Sequence, residues 1–175
     1  MSSPNSAPLR TGGAGFWALL LLVLSLDIAT KAWAVQALVP RHIPHTVLGE
    51  VVRFTLSYNP GAAFGMHIGE YSRWFFSVLA IVVVIFLLRT TRELVAESRL
   101  ASIGVPIVIG GAVGNLLDRL RYEDGVVDFI DIGVGGVRFW TFNVADMGVS
   151  IGAACLVLSL WQIERRHAMN ARVSK

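Results

Sequence analysis

Asp128 and Asp146 lie eighteen residues apart, on either side of a segment rich in β-branched and aromatic residues. Asp128 follows two valines and precedes Phe129 and Ile130, an apolar setting for a carboxylate. Asp146 opens another apolar run. If a hairpin closes between them, the two side chains meet. Two carboxylates in one low-dielectric site do not both ionise easily, so one keeps a proton. Such a pair supplies a general base to activate water and a general acid to protonate a carbonyl or leaving amine. From the spacing alone, two simple surface carboxylates are the default reading, the ordinary situation of aspartate.

Other polar residues occur in equally apolar surroundings. Asp27 and Lys31 are four apart, on one helix face, and can form an ion pair that either neutralises itself or supports a site. Asn115, Asp118 and Arg119 fall on adjacent faces of one helix end, where an arginine can also simply snorkel to water. Asn59-Pro60-Gly61 is a turn signal. Asn143 and Ala145 immediately precede Asp146. No zinc motif of the HExxH type and no Gly-x-Ser-x-Gly elbow is present, and His42 and His45 lack suitable neighbours for a metal. Cys155, the single cysteine, reads as a packed apolar residue. Asp124 and Asp131 read as hairpin surface charges.

The elements that must carry these residues follow from composition. The 175-residue chain is 54% hydrophobic and only 15% charged, against about 25% charged in a soluble domain. That excludes a disordered, collagen-like or disulfide-stapled chain. A bilayer-crossing helix needs about 20 mostly apolar residues, and four stretches come close, at about 16–39, 71–88, 100–117 and 147–163. The five tryptophans lie at or near span ends, as interfacial aromatics should. The first span resembles a signal peptide, but Asp27 interrupts it and three more spans follow, so it reads as a retained helix. Ionisable residues in or beside spans cost several kcal/mol unless paired or hydrated, which makes them functional candidates.

Residues 1–13 read as a disordered tail, 14–166 as one membrane domain and 167–175 as a second tail. Arginines are dense at Arg10, at Arg89–Arg99 and at Arg165–Arg172, which puts both termini in the cytoplasm. On the opposite side, alternation over Glu50–Tyr58 predicts a strand. Val126–Val134 and Val137–Phe142, joined at Gly135-Gly136, predict a hairpin. A small sheet packed on the outer ends of the helices would satisfy these backbones. The net charge of +3 fits basic cytoplasmic ends rather than a nucleic-acid site. A transport or proton-relay subunit and a non-catalytic scaffold are the rival classes. A transporter would place acids near the midplane, often in inverted halves, and no internal repeat is visible here.

Taken in order, these blocks resemble the lipoprotein signal peptidases, or signal peptidase II. The family's patterns are matched by Asp27-Ile28-Ala29-Thr30-Lys31, Asn59-Pro60-Gly61-Ala62-Ala63-Phe64, Gly111-Ala112-Val113-Gly114-Asn115-Leu116-Leu117-Asp118-Arg119, Val127-Asp128-Phe129 and Phe142-Asn143-Val144-Ala145-Asp146. Two departures, Gly65 and Met147 where the family often has serine, leave the chemistry untouched. The resemblance implies an all-α membrane core of four helices with a small periplasmic β-sheet. It implies an aspartic endopeptidase of the bacterial inner membrane, active at the periplasmic face. The expected substrate is a prolipoprotein carrying a diacylglyceryl cysteine, cut just before that cysteine. Asp128 and Asp146 would be the catalytic dyad. Asn59, Gly61, Phe64, Gly111, Asn115, Arg119, Asn143 and Ala145 would line or support the site, and Asp27 and Lys31 would support it structurally. No metal, cofactor or nucleic acid is expected. Membrane lipid is an expected partner, and the chain is expected to be a monomer.

Overall fold

A computed structural model describes residues 13–61 and 69–173. Four helices are long and apolar enough to cross a membrane. They are α1 (Ala14–Ala37), α2 (Ser72–Glu97), α3 (Arg99–Arg121) and α4 (Val144–Val173). The hydrophobic stretches set their middles but not their ends. The charged turns beyond Leu88 and Ile163 remain helical, because arginine, glutamate and alanine are good helix formers. Residues 167–173 therefore extend α4.

Helix α3 is the centre of the bundle. Of its apolar window 61% is buried, against 22% for each of the other three. It can take this position because its glycines let neighbours approach. A Cβ on Gly110 would meet the carbonyl of Leu20 in α1 at 2.8 Å, and one on Gly104 would meet that of Gly152 in α4 at 2.8 Å. Small residues at helix contacts are the usual device where lipid offers no hydrophobic driving force between helices. Phe16 and Leu20 of α1 pack with Leu87, Val105, Val108 and Ile109 into the bundle core. Leu21, Leu22, Val82, Phe86, Val157 and Leu158 point outward and are exposed. An apolar girdle of this kind belongs in hydrocarbon rather than water.

The other end of α1 carries a sheet. Strands β1 (His45–Leu48), β2 (Val52–Asn59), β3 (Val126–Val134) and β4 (Val137–Arg138) form one antiparallel sheet in chain order. The register sets Ser57 opposite Asp128 and Asn59 opposite Val126. Ala34 and Leu38 of α1 pack beneath the sheet against Leu56, Val127 and Phe129. Trp33 stands edge-on to Phe54 and Phe129, with centroids 5.2 and 6.1 Å away. Edge-on geometry suits the aromatic quadrupole. The Gly135-Gly136 turn forms as expected, with Gly135 at φ +57°. The strand after it is shorter than predicted. Its ladder stops after Arg138, with one further backbone bond from the Phe139 N–H to the carbonyl of Ile132 at 2.8 Å, and pairing returns where Phe142 bridges to Ile130. Between them Trp140 and Thr141 leave the ladder. Strand β1 was not anticipated, being four residues long and mostly exposed.

Candidate active site

The site begins with the way α4 starts. Asn143 precedes the helix, and its Oδ1 accepts the backbone N–H of Asp146 at 2.9 Å. Asp146 answers by accepting the backbone N–H of Asn143 at 3.3 Å. This is a capping box, with Asn and Asp in the usual Ser/Thr and Glu/Gln positions. It fixes the Asp146 carboxylate on the helix N-terminus, where the backbone dipole favours negative charge. Asn115 of α3 holds the other oxygen, donating from Nδ2 at 2.8 Å.

Asp128 approaches from β3 and is 1% exposed. The Asn143 side chain donates to its Oδ1 at 2.6 Å, and Asn59 supplies a second side-chain hydrogen bond. Burial, and then the like charge of Asp146, push the Asp128 carboxyl up to about 7. Asn143 thus touches both aspartates, and Asn115 reaches Asn143 as well, at 3.2 Å.

A buried cation underlies this pair. Lys31 is 3% exposed and donates to Asn115 Oδ1 at 2.8 Å. Its ammonium also lies 2.7 Å from Asp27 and 3.0 Å from Asp118. The i,i+4 pair expected within α1 is present, and α3 supplies its third member. Each acid then ties down a backbone end. Asp27 accepts the N–H of Ala145 at 2.8 Å, and Asp118 accepts that of Val127 at 3.0 Å. The residue before each proposed catalytic aspartate is therefore fixed by an acid paired with Lys31. Gly114 and Gly111 permit this closeness. A Cβ at Gly114 would collide with the Asp27 carboxylate, and one at Gly111 would run into the carbonyl of Ala145. Gly111 and Ala145, expected to line or support the site, make the close contact between α3 and α4.

Arg119 lies beside the pair and is 7% exposed. It donates to the carbonyl of Gly61 at 2.9 Å and to that of Asn115 at 3.3 Å. Asn59 accepts the N–H of Gly61 at 2.9 Å, closing the turn before Pro60 and Gly61 leave the sheet. Phe64 lies outside the described residues. A cleft of about 570 Å³ opens onto both aspartates, with Tyr58, Pro60, Phe139, Trp140, Met147 and Ile151 among its mostly apolar lining. Its wall also holds Ser57, Thr141 and Ser150, which sequence inspection did not single out. The β2–β3 register reveals Ser57 and the break after β4 reveals Thr141, while Ser150 lies one helical turn beyond Asp146 in α4. Asp131 is a correction. It is 7% exposed rather than a surface charge, because Arg138 reaches it across the hairpin turn.

Comparison with known proteins identifies the family. A family model described as signal peptidase (SPase) II matches residues 19–162. The lipoprotein signal peptidase of Hydrogenovibrio crunogenus is 38% identical over 155 residues, 87% of this chain and 88% of that protein. The one from Serratia proteamaculans is 39% identical over 162 residues, 87% and 90% of the two chains. The chain belongs to the signal peptidase II family. A solved structure described as a bacterial membrane enzyme has the same fold, with a TM-score of 0.72 at 25% identity over 85% of this chain and 88% of that one. Membership of a peptidase family removes the transporter and scaffold alternatives. It also fits four apolar helices capped by a four-stranded antiparallel sheet, as in a multi-pass membrane protease.

Proposed function

We propose that this signal peptidase II cleaves diacylglyceryl-modified prolipoproteins just before the lipidated cysteine, with Asp128 and Asp146 as the catalytic dyad. The observation that carries the proposal is the convergence of two carboxylates, from β3 and from the start of α4, on one mostly apolar cleft. Amides from Asn59, Asn115 and Asn143 hold them. Asp146 sits in the first turn of α4, where the positive end of the helix dipole favours negative charge. The proton then resides on Asp128, whose burial disfavours a second charge. Asp146 takes a proton from water as its oxygen attacks the scissile carbonyl carbon. Asp128 gives its proton to the carbonyl oxygen. Collapse of the tetrahedral intermediate breaks the C–N bond: the proton held by Asp146 passes to the leaving amine, and one hydroxyl of the gem-diol returns its proton to Asp128 as the product carboxyl forms, which restores the starting pair. No step requires a metal or a cofactor.

Asp128→Asn and Asp146→Asn keep side-chain size but remove the acid or the base. Each purified variant is expected to lose cleavage of a diacylglyceryl prolipoprotein while still inserting into membranes. General acid–base groups are worth about 10²–10⁴-fold, and more when they act as a unit. Near-normal turnover by either variant would remove that residue from the dyad.

The same proposal puts the enzyme in the bacterial inner membrane as a monomer, with both termini cytoplasmic and the cleft facing the periplasm. The scissile bond of a signal peptide leaves the bilayer on that face, beside lipid chains. Glu123, exposed after α3, and Ala96, exposed near the end of α2, report on opposite sides. In a Cys155→Ala background, Glu123→Cys should react with an impermeant maleimide on intact spheroplasts, and Ala96→Cys should not. The reverse pattern would leave the cleft without access to its substrate.

A further inference from the structure

The three asparagines of the site have little left to offer a substrate. Asn143 donates to Asp128, to Asn115 and to the carbonyl of Val127, and accepts from Asp146. Asn115 donates to Asp146 and accepts from Lys31 and Asn143. Asn59 holds Asp128 and the N–H of Gly61. These side chains hold the carboxylates in place. Yet a peptide entering a mostly apolar cleft must find partners for its own N–H and C=O groups, since leaving them unpaired costs free energy.

The cleft wall contains two hydroxyls that can serve. Ser57 Oγ and Thr141 Oγ1 lie 2.6 Å apart, both half-buried. Ser57 stands opposite Asp128 in the β2–β3 register. Thr141 precedes Phe142, whose backbone N–H and C=O are both bonded to Ile130, at 3.0 and 2.8 Å. Both hydroxyls are therefore fixed relative to Asp128. Two hydroxyls carry two donors and four acceptor lone pairs. Their mutual bond uses one of each. One O–H donor and three lone pairs remain, which matches the C=O and N–H that an extended peptide presents.

We propose that the Ser57–Thr141 hydroxyl pair binds backbone peptide groups of the substrate beside the dyad, donating to a carbonyl and accepting from an N–H. The pair acts as one rung of a β-ladder made from side chains, and it positions the chain without taking part in proton transfer. The assignment rests on the dyad reading above. The competing possibility is that the pair only ties the segment after β4 to β2.

An amide-to-ester scan separates the two. Diacylglyceryl prolipoprotein peptides are made with single amides near the cut replaced by esters, which removes the N–H and weakens the carbonyl as an acceptor. The full-length enzyme should lose about 3- to 10-fold in kcat/KM at one position, the worth of a neutral hydrogen bond. The double variant Ser57→Ala/Thr141→Val should show a similar loss on the all-amide peptide and no further loss at that position. Its pH profile should be unchanged. Ser57→Thr and Thr141→Ser keep both hydroxyls and should keep the ester profile. If the double variant does not fold, Ser57→Ala alone should shrink the penalty at that position. A full ester penalty at every position in the hydroxyl-deleted enzyme, or no ester penalty in the wild type, overturns the proposal. Asp128→Asn is assayed alongside. Its activity would sink the dyad reading, whereas its inactivity beside an unaltered ester profile in the hydroxyl variants would sink only the hydroxyl pair.

Discussion

Asp128 and Asp131 sit three residues apart in β3, and both are buried, at 1% and 7% exposed. Their partners differ in kind. Arg138 donates from Nε to Asp131 Oδ1 at 2.8 Å, its Nη2 lies 2.7 Å from the same oxygen, and Thr55 donates to Oδ2 at 3.0 Å. Asp128 receives neutral amides and faces a second carboxylate. A guanidinium holds a carboxylate still through paired charged hydrogen bonds, which suits a brace between β3 and β4. Amides and a like charge leave a carboxylate able to gain or lose a proton near neutrality, which suits chemistry. Burial alone does not distinguish the two roles; the neighbour does. The largest test of this contrast is the loss of cleavage expected in Asp128→Asn, which Asp131→Asn should not share.

The pH dependence sharpens the same contrast. Asp128 must be neutral to protonate the carbonyl, and its carboxyl is pushed up to about 7 by burial and Asp146. The free-enzyme profile of kcat/KM should therefore fall above about pH 7, approaching tenfold per pH unit. A plateau continuing to pH 9 would place the working proton elsewhere. Stability should follow the same group. The folded state holds this proton more tightly than the unfolded chain, whose aspartate titrates near 3.8. Stability therefore declines as pH rises from about 4 to about 7 and is level beyond. Asp128→Asn should remove that decline, measurable as a flatter dependence of Tm on pH.

Much of this was legible beforehand, and the limits have physical causes. Long apolar runs reveal spans because bilayer thickness imposes a length. The order of Asp27, Asn59, Asn115, Asp128 and Asp146 along the chain pointed to the family, and the structure brings all five together. The i,i+4 pair of Asp27 and Lys31 was visible because both lie on one helix. The third member, Asp118, was not, because it depends on how α3 packs against α1. Asp131 was missed for a similar reason. Arg138 is seven residues away, and only the closed Gly135-Gly136 turn makes them neighbours. Trp140 and Thr141 fit the predicted strand by residue type, yet they turn out of the ladder to line the cleft. β-rich composition cannot report where a strand stops pairing, since that is set by its partner.

A second pair of cations offers a smaller contrast. Arg119 is buried against the carbonyl of Gly61, beside the dyad, whereas Arg121 is exposed one half-turn later. Removing a charged donor from a buried carbonyl costs about 1.5–3 kcal/mol, against almost nothing for a solvated arginine. Arg119→Ala should lower kcat/KM by roughly 10- to 100-fold. Arg121→Ala should leave it within about twofold. Equal losses in the two variants would argue that Arg119 does not support the site.

A similarly small effect on catalysis is expected from Asp131→Asn, and it tests whether the two carboxylates of β3 are separable. Asparagine keeps the shape and can still accept from Thr55 through its amide oxygen. It loses the charge that pairs with Arg138, a group also tied to the carbonyl of Glu50 at 2.6 Å and to that of Asp131 at 3.0 Å. Those two carbonyl bonds survive the substitution, so the guanidinium is not left bare. Weakening a charged hydrogen bond at this partly buried site should cost at most about 1.5–3 kcal/mol of stability. A lower Tm would report it. The braced strand still carries Asp128, and the Phe142 bridge to Ile130 still sets the approach to Asp146. Cleavage by the folded variant should therefore remain within about threefold of wild type, the change expected when a neutral hydrogen bond near a site is disturbed. A loss approaching that of Asp128→Asn would show that the brace and the dyad form one unit and that the two aspartates do not have separate roles.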